Sequence, residues 1–266
     1  MKSPVASIYL SLSAIALLIP LPTSALTIVH SGSTDPTLEG FAIATFSNPS
    51  TVGPLADDLG RSAWRITNSS TSSQLVYYSG VTSAQKDEIT SGGGYTLTFE
   101  ARVLQGATPS FYDNTNHITL GGVHFDNGTK RFEVNLGLNS DGDTVVVLPT
   151  SIDNGGPGST IRSPGPSFTL TGSGNIYHTF QLRYSSATDR ASLSVDGISR
   201  IDNYAGHASF VANRGVTFHA FSGAEVHYSS VQFVSVPAPS ALFTVLVGIV
   251  PGAGLLWRRR RQKRKL

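Results

Sequence analysis

The chain has 266 residues, no cysteine, 14% charged residues and 27 glycines. The missing thiols exclude a disulfide framework, a thiolate metal site and a cysteine nucleophile, and charged residues run well below the roughly 25% of average globular proteins. The formal charge of +2 is uneven: of 19 basic residues, Lys2 and seven of the last nine residues lie at the ends, leaving 11 against all 17 acidic residues between them, a net of −6. That acidic middle argues against nucleic acid as a partner of the folded part.

Residues 1–25 read as a secretory signal: Lys2, an apolar stretch from Ile8 to Leu21, then Thr23-Ser24-Ala25, whose small side chains suit a signal peptidase. The expectation is a mature chain beginning near Leu26, outside the cytoplasm.

Residues 26–235 are expected to form one all-β, antiparallel β-sandwich. Tyr95, Leu97 and Phe99 alternate with Thr96, Thr98 and Glu100, and Phe132, Val134, Leu136 and Leu138 with Arg131, Glu133 and Asn135. Phe180, Leu182 and Tyr184 repeat the pattern, as do Ala191, Leu193 and Val195, then Val216, Phe218 and Ala220, with Val231 and Phe233 closing the domain. A period of two marks half-buried antiparallel strands. Asp126-Asn127-Gly128 is a hairpin signal, and Asn139–Asp143 and Asp196-Gly197 are further turn candidates. Only Ser83–Ile89 reads as helix, and Asn154–Gly158 and Ser163–Pro166 read as loops.

Residues 236–266 have three parts: Val236-Pro237-Ala238-Pro239-Ser240, an uncharged apolar run over 241–257, and a basic tail over 258–266 led by Arg258, Arg259, Arg260 and Arg261. At 1.5 Å per residue the run makes a helix of about 26 Å, close to the roughly 30 Å of a bilayer core. Pro251 and three glycines suit a membrane span better than a soluble helix, and the positive-inside rule puts the tail in the cytoplasm.

Those three parts resemble the PEP-CTERM sorting signal of Gram-negative bacteria, which exosortase-type membrane proteases process. The chain departs from the family pattern at Val236 and at Ala238, where the usual acid of Pro-Glu-Pro is missing. The resemblance implies a transient inner-membrane anchor, cleavage near Val236–Pro239 and delivery to the cell envelope, the surface or the extracellular matrix.

The order Trp64-Arg65-Ile66, Tyr77-Tyr78, a short helix, Gly94–Arg102, Tyr177–Phe180, Ala191–Gly197 and Val231-Gln232-Phe233 is similar to the concanavalin A-like lectin/glucanase jelly roll, in its laminin G-like versions above all. That resemblance implies a fold and leaves activity to the site.

Glycoside hydrolysis needs two carboxylates about 5–9.5 Å apart. None of the glutamates Glu39, Glu88, Glu100, Glu133 and Glu225 begins the Glu-x-Asp-x-Glu run that the glucanase branch of the resembled fold carries. Asp141 and Asp143 have the spacing of a pair, within a segment that reads first as a turn. The same segment lacks the glycine and glutamate an EF-hand loop requires, since Thr144 and Thr150 stand there. A laminin G-type calcium site on Asp113, Asp141 and Asp143 stays open; otherwise no cofactor is indicated. For sugar binding, the loop Phe111–His117 offers Tyr112 as a stacking platform beside Asn114 and His117, although a loop aromatic covering the sandwich edge is the plainer reading. Seven histidines form no zinc motif; His178, His219 and His227 are expected on the polar faces of strands. No serine elbow or phosphate-binding loop occurs.

The expectation is an exported, non-catalytic glycan-binding or adhesion domain, with an exopolysaccharide or other glycan as partner. The alternatives are a polysaccharide-active glycoside hydrolase or lyase of the same fold, with acid and base on separate strands, and a purely structural matrix component.

Overall fold

The structure is a computed structural model that describes residues 24–46, 50–57, 59–68, 74–105, 121–152, 161–163, 165–172, 175–208, 214–221 and 223–237. Residues 1–23 of the expected export signal, the loop carrying Tyr112, Asp113, Asn114 and His117, the expected loop Asn154–Gly158, the residues Ala238 and Pro239, the expected span over 241–257 and Arg258–Arg261 lie outside the described residues. Among the described residues no helix is long and apolar enough to cross a membrane.

Two antiparallel sheets build the domain. The first contains β1 (Thr27–Ser31), β3 (Ser50–Ala56), β4 (Ser62–Asn68), β6 (Gly94–Gln105), β13 (His178–Ser185), β14 (Arg190–Val195), β15 (Ile198–Tyr204) and β18 (Glu225–Val236). Its order is β15-β14-β13-β6-β18-β4-β3, and β1 pairs with the second half of β18. The second contains β2 (Phe41–Phe46), β5 (Gln74–Gly80), β7 (Gly121–Asp126), β8 (Lys130–Leu138), β9 (Thr144–Val147), β12 (Ser167–Leu170), β16 (His207–Ala208) and β17 (Arg214–Phe221). Its order is β12-β9-β8-β7-β17-β5-β2, with β16 on β8. β10 (Ser151–Ile152) and β11 (Ile161–Ser163) form a separate two-stranded ribbon, with β10 next to β16.

The alternation expected from the sequence is the alternation observed. Tyr95, Leu97 and Phe99 of β6, Phe180 and Leu182 of β13, and Val231 and Phe233 of β18 face Val123 and Phe125 of β7, Phe132, Val134 and Leu136 of β8 and Phe218 of β17 in one core. Rings interlock there: Phe125 and Phe233 stack at 4.6 Å, and Phe99 and Phe180 at 4.8 Å between centroids. Such pairs add about 0.5–1.5 kcal/mol each beyond the area they bury. The hydroxyl of Tyr228 (β18) crosses the core, accepting from Gly122 N at 3.0 Å and donating to His219 O at 2.7 Å. One side chain thereby ties the first sheet to two strands of the second.

Turn chemistry sets the hairpins. Asp126-Asn127-Gly128 joins β7 to β8, with Asn127 Oδ1 accepting from Lys130 N at 2.6 Å and Asp126 Oδ1 from Gly128 N at 2.8 Å. Asp196 (φ 52°) and Gly197 (φ 78°) join β14 to β15 with both central residues left-handed, as a two-residue hairpin prefers.

Helix α1 runs Ser83–Ser91, two residues beyond the expected Ser83–Ile89. Thr82 and Gln85 close a capping box at its start. A single 3-10 turn, Pro36–Glu39, was not expected; Asp35 caps it and a proline opens it. Strand β18 continues past Phe233 to Val236, which pairs with Gly94, and Ser163 belongs to β11 rather than to a loop. Val236, the first residue of the expected sorting motif, is thus the last strand residue, and Pro237 follows it exposed.

Candidate functional site

The same alternation that sends Val123, Phe125, Phe132 and Val134 into the core sends His124, Asp126, Arg131, Glu133 and Asn135 to the outer face of the second sheet. Register then decides who meets whom. Tyr78, Thr217, His124 and Glu133 stand side by side across β5, β17, β7 and β8. One row along stand Val76, His219, Gly122 and Asn135, and on the other side Asp126 pairs with Arg131, which faces His207 of β16.

Glu133 is the hub of this face. Its Oε2 accepts from His207 Nε2 at 3.1 Å, while Arg131 Nη1 lies 3.9 Å away and His219 Nε2 lies 3.9 Å from Oε1. Arg131 also reaches Asp126 Oδ2 at 3.4 Å. Burial alone would raise the Glu133 pKa; the His207 hydrogen bond and the Arg131 guanidinium outweigh it and hold the carboxylate ionised, well below its ordinary range. His124 goes the other way: burial, aided by Arg131, pushes its pKa well below 6.5, so the ring is neutral at pH 7.

Among the described residues, His124, Asn135, Thr217 and Arg131 on this face have unused hydrogen-bonding atoms. Both ring nitrogens of His124, Asn135 Oδ1, Thr217 Oγ1 and Arg131 Nε are buried without a hydrogen-bond partner. Gly122 lies between Asn135 and His219, and a Cβ there would stand 2.7 Å from Asn135 Oδ1 and 3.1 Å from His219 Nε2. The glycine therefore makes room for the polar groups around it. Leaving a buried polar atom unbonded costs about 1–3 kcal/mol, which makes a concentration of such atoms informative about function.

Asp141 and Asp143 sit elsewhere, in the β8–β9 turn. Asn139 Oδ1 accepts from Asp141 N at 3.0 Å and from Asp143 N at 2.8 Å, and Asp143 Oδ1 accepts from Gly172 N at 2.8 Å. The pair folds as a side-chain-capped turn that also ties down the β12 end. Among the described residues no three His, Asp or Glu side chains converge as a metal site would require. Of the histidines expected on polar faces, His219 and His227 lie opposite the core residues of their strands, whereas His178 shares the face of Phe180, Leu182 and Tyr184 because it is an even number of residues from them; all three are buried. His30 is a core residue, stacked on Phe218 at 4.9 Å and bound to Glu39 through Nδ1 at 2.5 Å.

No protein-family model matches the chain, and no curated protein matches it. Similar solved structures include a carbohydrate esterase of the Shiga toxin-encoding bacteriophage phi24B, at 13% identity over 80% of this chain and 100% of that one, with a TM-score of 0.48. Domain 4 of AbnA, an extracellular arabinanase from Geobacillus stearothermophilus solved with arabinotriose, is 9% identical over 82% of this chain and 97% of its own, with a TM-score of 0.43. Peanut lectin is 13% identical over 82% of this chain and 100% of its own, also with a TM-score of 0.43. At these values the chemistry of the site rests on its own residues.

Proposed function

We propose that the chain is an exported, non-catalytic glycan-binding domain with a concanavalin A-like jelly roll. On this reading it is held transiently in the inner membrane with its C-terminus in the cytoplasm. An exosortase-type protease then processes it at Val236–Pro239 and passes it to the envelope, the surface or the medium. The export half is supported by the N-terminal apolar signal and by the order of motif, apolar run and Arg258–Arg261.

The binding half is carried by one observation: the unused hydrogen-bonding atoms of His124, Asn135 and Thr217 crowd one sheet face beside Tyr78. A polyhydroxylated ligand brings donors and acceptors in that density, and an aromatic neighbour suits the apolar face of a sugar ring. His124 is 4% exposed and Thr217 0%, so a ligand enters by displacing what covers them.

The test is retention of the full chain on immobilised polysaccharides, together with fractionation of the producing cell. Retention on a glycan and recovery from envelope or medium support the proposal. Recovery of intact chain from cytosol removes the export half, and lack of retention on every polysaccharide removes the binding half.

A glycan-cleaving enzyme of the same fold is the second reading. The observation favouring it is neutral His124 opposite ionised Glu133, two titratable groups that their surroundings drive apart. Release of reducing ends or unsaturated products from the same panel, lost in Glu133→Gln, would decide for it.

A further inference from the structure

The outer face of the first sheet holds a different arrangement. Register sets Gly53, Arg65, His227 and Arg102 side by side across β3, β4, β18 and β6. Most charges around this row are matched. Arg61 pairs with Glu100, Arg102 Nη2 lies 3.7 Å from Asp57 Oδ2, and His227 Nε2 donates to Glu225 Oε1 at 2.8 Å. Arg61 and Arg102 both approach the ring of Tyr177, at 5.2 and 5.4 Å from its centroid.

Arg65 is the charge left over. Among the described residues no carboxylate pairs with it, and its Nε is buried without a hydrogen-bond partner. Beside it, His227 is 2% exposed and its Nδ1 is likewise unpartnered. On the other side of Arg65 is Gly53, where a Cβ would meet nothing within 4 Å, on the strand that ends the sheet. A partly buried guanidinium, an unused imidazole nitrogen and an open approach thus meet at one point.

We infer that Arg65 and His227 form an oxyanion subsite that receives the carboxylate of an acidic saccharide. The saccharide rests on the glycan-binding reading above, whereas the oxyanion site stands on these residues alone. A guanidinium fork matches a carboxylate in two parallel hydrogen bonds. With Nε2–H committed to Glu225, Nδ1 accepts in the neutral ring and donates only once the ring is protonated. Burial lowers the His227 pKa below 6.5, and Arg102 adds to this; Glu225 on its own strand and Asp57 from the β3–β4 turn oppose it. A carboxylate at Arg65 adds negative charge and draws a proton onto the ring. Binding therefore takes up a proton and tightens as pH falls.

The test is calorimetric titration of the full chain with trigalacturonate, with neutral maltotriose and with inorganic sulfate. The variants are Arg65→Gln, Arg65→Lys, His227→Gln and, as a control, Arg183→Gln at an exposed position of the same sheet. The acidic trisaccharide is expected to bind about tenfold or more tightly than the neutral one, as a charge-assisted pair allows. Arg65→Gln should lose that margin, Arg65→Lys retain part of it and Arg183→Gln all of it. Tightening between about pH 7.5 and pH 5.5 should vanish in His227→Gln. Equal affinity for the two trisaccharides, or wild-type affinity in Arg65→Gln, overturns the subsite; maltotriose binding would then leave the glycan reading standing. Sulfate binding that Arg65→Gln abolishes, with neither saccharide bound, supports the oxyanion site and overturns its assignment to an acidic saccharide.

Discussion

His207 Nε2 stands 3.1 Å from Glu133 Oε2, and both side chains are shut off from solvent. Removing a buried hydrogen-bond acceptor leaves its donor unsatisfied, at about 1–3 kcal/mol. Glu133→Ala should therefore lose stability in that range in urea unfolding, because it removes the acceptor of His207 Nε2, while Arg131 keeps Asp126. Glu133→Ala with wild-type stability would mean the pair contributes nothing to the fold.

Acid should weaken the domain in two stages. His124 binds fewer protons folded than unfolded, since its native pKa lies well below 6.5. Stability is then full above pH 6.5 and falls as pH drops beneath it, by up to about 1.4 kcal/mol per pH unit for one group. Glu133, with its pKa lowered from 4.5, contributes stability that is full above pH 4.5 and is lost on further acidification. Thermal unfolding from pH 7 to pH 5 should show a falling midpoint with a shallower slope in His124→Gln. An identical slope in the variant removes His124 as the cause.

Tyr228→Phe tests the tie between the sheets. The substitution keeps the ring that packs against Phe218 and removes the hydroxyl that serves Gly122 N and His219 O. The expected cost is about 1–3 kcal/mol, the penalty for leaving buried groups unbonded. Faster amide exchange at Gly122 should accompany it.

Gly122→Ala should damage the polar face without touching any charge. Its Cβ would lie 2.7 Å from both Asn135 Oδ1 and Val134 O, so the neighbours must move. Overpacking of this kind costs about 1–3 kcal/mol. Glycan retention should fall together with the unfolding midpoint, whereas unchanged retention would place the ligand elsewhere.

Much of this fold was legible because single strands announce themselves. The alternation around Phe132 and Phe180 is local, and so are the turn at Asp196-Gly197 and the helix from Ser83. The outer-face row was half legible: the hairpin about Asn127-Gly128 already puts His124 across from Glu133 on one side of two strands. His207 and His219 could not be joined to them, since their places depend on long-range register that no short window encodes. The same is true of Arg65 beside His227, brought together from the two ends of the domain. The 3-10 turn at Pro36 escaped because four residues show no period.

The measurement that bears most directly on the glycan-binding claim compares the full chain with Asn135→Leu and Thr217→Val for polysaccharide retention and thermal midpoint. Both changes replace a partnerless buried polar atom with an apolar group of similar shape, which is neutral or stabilising when the polar atom has no other task. The account predicts unchanged or raised midpoints together with lost retention. Full retention in both variants would contradict it.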